Sequence, residues 1–316
     1  MAKPRLDTGS TLDGFLIGEK IHQGGMAEIW EVTKEGIDTP LVMKVPLILD
    51  GDDPTMIVGF EGEQMILPRL SGPHVPRCLG LGDFSVQPYI VMERIEGESL
   101  LKRFKEAPIP VAEVIDLGAK IATALASLHR QDVIHLDLKP SNIMFRPSGE
   151  AVFIDFGLSR HLKLPDLLAE EFRVPMGTAP YIAPEQVLKL REEPRSDLFA
   201  LGVLMYTLVT GERPFGNPKH TTKALLRRLY EAPTPPRLIR KDIPDPAPGS
   251  AEAILDEADA AVTDPLAKRV LAAQRASFHA DLGRPEAAVQ TADTALSGPL
   301  PDEDVALAAW AKAGAI

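Results

Sequence analysis

One cysteine, Cys78, stands in 316 residues, so no disulfide can form within the chain, and the pattern suits a reducing compartment. Basic charge is also short: 34 lysines and arginines face 45 aspartates and glutamates, a formal net charge of −11. A nucleic-acid backbone as main partner would want a basic face, so that class is not expected, and any phosphate-binding site must be local. No apolar run is long enough for a bilayer. The longest, Leu198 to Val209, is well short of the ~20 residues a spanning helix needs, and reads as a buried helix. Behind Lys3 and Arg5 no apolar stretch follows in Met1–Leu12, so a secretory leader is not expected. A cytoplasmic, non-membrane protein is the expectation.

What is present is ordinary for a soluble globular chain, with 45% hydrophobic and 25% charged residues, enough for one large domain or two of usual size. Apolar and polar positions alternate over Phe15–His22, Ala27–Lys34 and Leu41–Leu47. The runs are separated by Gly24-Gly25 and by Gly36 with Pro40, which predicts an antiparallel meander. A helix is predicted from Pro54 to about Leu70, then strands at Arg77–Phe84 and Tyr89–Glu93. From residue 111 to 130 the apolar spacing is three and four, a helix of about five turns. Short strands fit Val133-Ile134, Ile143–Phe145 and Ala151–Ile154. After a long loop, residues 196–210 are apolar on nearly all sides, as a helix in the middle of a domain would be. A Pro-rich stretch over 231–250 precedes an Ala-rich region, 251–316, and a boundary is expected near residue 250.

An ordered set of motifs runs through these elements. Lys44 lies in a strand and Glu63, nineteen residues on, in a helix. His135-Leu136-Asp137-Leu138-Lys139-Pro140-Ser141-Asn142 lies between two short strands, and Asp155-Phe156-Gly157 follows. The segment Gly177-Thr178-Ala179-Pro180-Tyr181-Ile182-Ala183-Pro184-Glu185 closes the loop. Singly each has a bland reading: a strand lysine is usually a solvated charge, and Asp-Phe-Gly usually just a turn. In this order and spacing, over about residues 14–245, the set resembles the eukaryotic-type protein kinases, closest to their bacterial serine/threonine branch.

The resemblance implies an α+β, two-lobed protein kinase fold over 14–250. The small lobe, about 14–95, would be a five-stranded antiparallel sheet with one helix. The large lobe, about 96–250, would be mainly helical, with residues 1–13 an N-terminal extension and 251–316 a short helical tail. It also implies ATP as phosphoryl donor, Mg2+ as cofactor and a protein Ser/Thr hydroxyl as acceptor. Phosphoryl transfer spreads negative charge over the γ-phosphoryl oxygens, so positioned cations and an oriented hydroxyl are what the site needs. By resemblance Lys44, held by Glu63, would bind the α- and β-phosphates. Asp155 and Asn142 would hold magnesium, as hard oxygen ligands should. Asp137 would take the substrate proton, with Lys139 near the γ-phosphate. Ile29, Val42 and Met144 would sandwich the adenine, Met92 would be the gatekeeper, and backbone groups of Glu93 and Ile95 the hinge. Asp197 would cap the backbone of the catalytic loop and Glu185 would be a structural ion-pair partner. Lys139 and Thr178 are the serine/threonine features.

Three departures stand out. In Ile21-His22-Gln23-Gly24-Gly25-Met26-Ala27, His22 and Ala27 replace the family's first and third glycines. Gly24, with Gly25 beside it, is what remains to let backbone N–H groups approach a phosphate. Leu136 stands where many relatives carry an arginine that pairs with a phosphorylated activation-segment residue. From Leu158 to Met176 the only hydroxyl is Ser159, so switching by activation-loop phosphorylation is not expected. Third, the usual last lobe helices are altered. Thr263–Arg269 reads as a distorted version of a family turn, and Lys268–Pro299 also resembles a tetratricopeptide-type helix pair, with Pro301–Ile316 the start of another. A plain Ala-rich helix pair fits equally; a protein partner for this tail is one expectation, and a chain cut from a longer protein another. Two rivals to an active kinase remain: a pseudokinase scaffold, favoured by His22, Ala27 and Leu136, and a small-molecule phosphotransferase. The peptide-holding segment Gly177–Glu185 argues against the latter.

Overall fold

The computed structural model describes residues 6–47, 54–169, 175–219, 221–229 and 233–243, with isolated positions at 289, 290 and 292. The chain divides into two units, Met1–Ile243 and Pro244–Ile316. The expectations for the Ala-rich tail and its repeat-like helix pair lie outside the described residues, apart from those three helical positions.

In the first unit the alternating runs form a six-stranded antiparallel sheet: β1 (Thr11–Leu12), β2 (Phe15–Gln23), β3 (Ala27–Lys34), β4 (Ile37–Pro46), β5 (Cys78–Leu81) and β6 (Ile90–Glu93). Their order is β1-β2-β3-β4-β6-β5. Five strands were expected. The sixth, β1, pairs Thr11 with Leu16 and Leu12 with Phe15, and two residues are too few to carry a periodic signal. β4 also begins at Ile37 rather than Leu41, with Pro40 inside it. The register between β3 and β4 is irregular at this point, where a strand tolerates a residue without an N–H.

Successive side chains point to opposite faces of a strand. Trp30, Leu41, Met43, Val45 and Val91 pack on one face with Phe15 and Tyr89 as a core of their own. Ile29, Val42, Lys44 and Met92 occupy the intervening positions, so they share the opposite face, toward α1 (Pro54–Ile66). Val42 and Met92 there join a second core that continues into the helical part of the unit through Leu100, Leu125, Ile143 and Leu204.

The helical part contains β7 (Glu98–Ser99), α2 (Leu100–Lys105), α3 (Val111–His129), β8 (Val133–Ile134), β9 (Ile143–Phe145), β10 (Ala151–Phe153), β11 (Arg160–His161), α4 (Pro184–Val187), α5 (Arg195–Thr210), α6 (Thr222–Leu225) and α7 (Pro236–Ile239). Strands β10-β9-β7 form one small sheet and β11-β8 another. α3 buries Val114, Leu117, Ile121, Leu125 and Leu128, the three-and-four spacing of one helix face. α5 ends where Gly211 turns left-handed at φ +78°, a conformation glycine adopts without penalty. No helix among the described residues is long and apolar enough to cross a membrane.

α1 is pressed against the Asp155-Phe156-Gly157 turn at a single glycine. A Cβ on Gly59 would lie 2.8 Å from the Gly157 carbonyl oxygen, a backbone atom that cannot swing aside. One turn on, a Cβ at Gly62 would meet nothing within 4 Å. Gly59→Ala is therefore expected to lower stability by about 1–3 kcal/mol as α1 is forced outward. Gly62→Ala should raise it by about 0.4–1 kcal/mol, by restricting the unfolded chain. Urea unfolding of the two variants checks this; equal effects would mean that Gly59 is not the contact point.

Candidate active site

Strand β4 presents Lys44 and helix α1 presents Glu63, and the two meet at 2.6 Å (Nζ to Oε2). Lys44 also reaches Asp155 Oδ1 at 2.9 Å, so one ammonium joins three separate elements. Burial would drive the lysine's pKa down, but the charges of Asp155 and Glu63 outweigh it and hold it above the usual lysine value. Loss of water would likewise raise the Asp155 carboxyl; Lys44, by charge and hydrogen bond, holds it well below the ordinary carboxylate range instead. For Glu63, which is 1% exposed, burial dominates and pushes the carboxyl up, with Lys44 opposing. Glu63 Oε1 also accepts from the Phe156 N–H at 3.4 Å, tying α1 to the Asp-Phe-Gly turn a second time.

The loop after β8 carries Asp137, Lys139 and Asn142. Asp137 Oδ1 accepts from both the N–H and the hydroxyl of Thr178, at 2.8 and 2.7 Å. Its Oδ2 takes Lys139 Nζ at 2.6 Å. Asn142 donates its amide to the Asp137 carbonyl at 3.1 Å, which turns the amide oxygen away. The loop itself hangs on Asp197 of α5, whose two oxygens accept the N–H groups of His135 and Leu136, each at 2.8 Å. Leu136 sits at φ +62°, a strained value for a branched side chain, and this pair of bonds holds it there.

His135 is fully buried between Phe153 and Phe156, with ring centroids 5.2 and 5.6 Å away. Its Nδ1 accepts the Asp137 N–H at 3.3 Å. Burial outweighs the nearby Asp197 carboxylate and lowers its pKa below the usual 6.5. The unfolded chain thus binds a proton there that the folded chain does not. Stability should be retained above pH 6.5 and lost as pH falls below it, with a slope of up to about 1.4 kcal/mol per pH unit from this ring. Unfolding curves between pH 7.5 and 5 are expected to show that slope reduced in His135→Phe. An identical slope in both proteins would rule out His135 as its source.

The other expected positions are distributed as follows. Ile29 pairs with Lys44 across β3 and β4, and Val42 with Met92 across β4 and β6, so the three apolar side chains border the Lys44 site on one face. Met144, half-buried on β9, pairs with Ser99 of β7. The Glu93 N–H is spent on the Arg77 carbonyl at 2.9 Å and its carboxylate on Arg146, so only its carbonyl is left for a hinge. Ile95 is buried. At the β2–β3 turn Gly24 donates to the Ala27 carbonyl at 2.9 Å. A Cβ on Gly25 would meet nothing within 4 Å, so the protein's own packing does not demand that glycine.

Among the described residues no three His, Cys, Asp or Glu side chains gather into a metal cluster. The residues that could hold a cation are Asp155, by its carboxylate, and Asn142, by its amide oxygen, which the Ser141 hydroxyl contacts at 3.3 Å. One carboxylate and one amide oxygen suit a hard cation that completes its shell with water and phosphate oxygens, and Mg2+ does so.

Residues 15–255 match the family described as protein kinase domain. The chain belongs to that family. The two-lobed kinase fold and the bacterial resemblance read from the motifs are both borne out. The chain is 30% identical over 226 residues to a probable serine/threonine-protein kinase of Clostridium perfringens, covering 71% of this chain and 33% of that one. It is 32% identical over 202 residues to serine/threonine-protein kinase PknL of Mycobacterium tuberculosis (64% and 50%). With PknA of the same organism the identity is 31% over 236 residues (72% and 54%). The chain thus spans a third to about half the length of these curated relatives.

Glu185, expected in an ion pair, accepts the Ser196 hydroxyl at 2.6 Å. Two bracing groups escaped the sequence reading. Gln186, buried, donates to the carbonyls of Leu136 and Met176 (2.8 and 3.4 Å), joining the loop after β8 to the strip Gly177–Glu185 that follows Met176. Arg228 donates to the carbonyls of Ile182 and Ala179 in that strip and lies over the rings of Phe199 and Phe215. A glutamine after Pro-Glu and an arginine in an irregular stretch carry no signal that separates them from surface residues.

Proposed function

We propose that the chain is a working protein kinase that transfers the γ-phosphoryl group of ATP to serine or threonine hydroxyls of proteins. The observation that carries this reading is the joint assembly of two half-sites. Lys44 bonds Glu63 and Asp155 at once, and Asp137 bonds the substrate strip through Thr178. Lys44 neutralises the α- and β-phosphates, and Ile29, Val42, Met92 and Met144 enclose the base, with the hinge groups of Glu93 and Ile95 beside it. Asp137 orients the acceptor hydroxyl and takes its proton as the new phosphorus–oxygen bond forms and the γ-phosphorus bond to the bridging oxygen breaks, ADP leaving. Lys139 balances the charge on the transferred group. Asp155 and Asn142 would hold Mg2+, which would neutralise negative charge on the phosphates.

Activation-loop phosphorylation is not the switch. Ser159, the one hydroxyl between Leu158 and Met176, is 6% exposed and donates to the His135 carbonyl at 3.1 Å. The second reading, a scaffold without catalysis, has His22, Ala27 and Leu136 in its favour. It gives no reason for the Lys44–Glu63 and Asp137–Lys139 pairs to be kept. Transfer from γ-labelled ATP is to be measured with protein, sugar and aminoglycoside acceptors, followed by acid hydrolysis of the labelled product. Acid-stable phosphoserine or phosphothreonine is expected. Label on the small molecules alone would overturn the protein-kinase reading.

A further inference from the structure

The segment that runs from the Asp-Phe-Gly turn to Thr178 carries an anion of its own. Asp166 Oδ2 accepts from Arg191 Nε at 2.8 Å, and Arg160 Nε lies 3.7 Å from the same oxygen. Both guanidinium side chains are about nine-tenths buried (9% and 10% exposed), and Asp166 is 16% exposed. Arg160 Nε has no hydrogen-bond partner and faces the Asp166 carboxylate, while the other end of its guanidinium reaches the exposed Glu192 at 3.3 Å. Two buried cations around one oxygen would be costly without that carboxylate.

The cluster touches the segment at each important point. Arg191 also donates to the Leu158 carbonyl at 3.1 Å, just after the Asp-Phe-Gly turn, and to Met176 Sδ at 3.2 Å, two residues before Thr178. Arg160 belongs to β11, which pairs with Ile134 of β8, the strand leading into the catalytic loop. One arginine thus spans the start, middle and end of the segment, and its far end delivers Thr178 to Asp137.

We propose that Asp166 is a built-in anion doing the work that a phosphate would do, and that Asp166 and Arg191 are positioning residues for the protein acceptor. This rests on the kinase reading above and extends it. Leu136 cannot answer a phosphate, the segment offers only a buried hydroxyl, and a carboxylate between two arginines supplies the missing charge permanently.

The test uses the full chain, dephosphorylated and checked by mass, beside Asp166→Asn and Asp166→Glu. Asp166→Asn is expected to lose about 10–100-fold in kcat/KM for a protein acceptor, while KM for ATP stays within about twofold. Asp166→Glu should recover most of the loss. Amide hydrogen exchange over residues 158–168 should be about tenfold faster in Asp166→Asn. If the parent chain transfers no label, the kinase reading fails, and the exchange still decides whether Asp166 orders the segment. Unchanged exchange, or faster exchange with kcat/KM unaltered in an active enzyme, overturns the proposal. An equal fall in ATP affinity, acceptor affinity and thermal stability overturns it too, since Asp166 would then be a general structural residue.

Discussion

Asp137→Asn is expected to slow phosphoryl transfer by roughly 10^2–10^4-fold, the usual contribution of a positioned general base. The substitution is nearly isosteric. The remaining amide oxygen can still accept the Thr178 N–H and hydroxyl, now at 2.8 and 2.7 Å from Oδ1. Lys139, whose side chain is 27% exposed, can swing into solvent when its partner loses charge. Folding should therefore change little, and KM for ATP should stay within about twofold, because the Lys44 site does not share atoms with Asp137. The loss belongs in kcat. A variant with undiminished kcat would mean that the hydroxyl's proton leaves by another route.

Asp197→Ala is expected to produce the largest loss of stability, about 3–5 kcal/mol. Asp197 is 1% exposed and accepts three hydrogen bonds: from the N–H groups of His135 and Leu136, and from His129 Nε2 at 2.9 Å. Its removal orphans two backbone donors in surroundings where His135 and Leu136 are 0% and 4% exposed, at about 1–3 kcal/mol each. It also frees Leu136 from its left-handed conformation, so the catalytic loop should lose its shape along with its support. Against a total of about 5–15 kcal/mol, that loss is a large fraction of the fold's stability. For a domain of this size the thermal midpoint should fall by about 10 °C or more. Asp197→Asn, which keeps one acceptor oxygen, should lose about half as much. Equal midpoints for Asp197→Ala and the parent chain would show that water or a rearranged loop satisfies both donors.

The parts of the fold legible in the sequence were those with a period or a motif. β2, β3 and α3 follow from alternation or three-and-four spacing, α5 from a stretch apolar on nearly all sides, and Lys44, Glu63, Asp137 and Asp155 from motifs whose order and spacing resemble the protein kinases. Two-residue strands such as β1 and β7 are too short to show a period, and α2 is under two turns long. The bonds that fix the site's shape were mostly invisible for another reason. Asp166 and Arg191 are 25 residues apart, and each reads singly as a surface charge; only folding makes them a buried pair. Thr178 was legible as part of the substrate strip, but not as a donor to Asp137, because a hydroxyl's partner depends on the turn that delivers it.

The most direct test of the account is transfer of label from γ-labelled ATP with Mg2+ to a basic protein acceptor. It would be made on a chain shown by mass to carry no phosphate, with Asp137→Asn run beside it. Immediate, linear labelling that depends on Asp137 is the predicted result, because the site is assembled without prior modification. No label from either protein, with ATP binding still detectable by thermal shift, would contradict it and leave a nucleotide-binding scaffold.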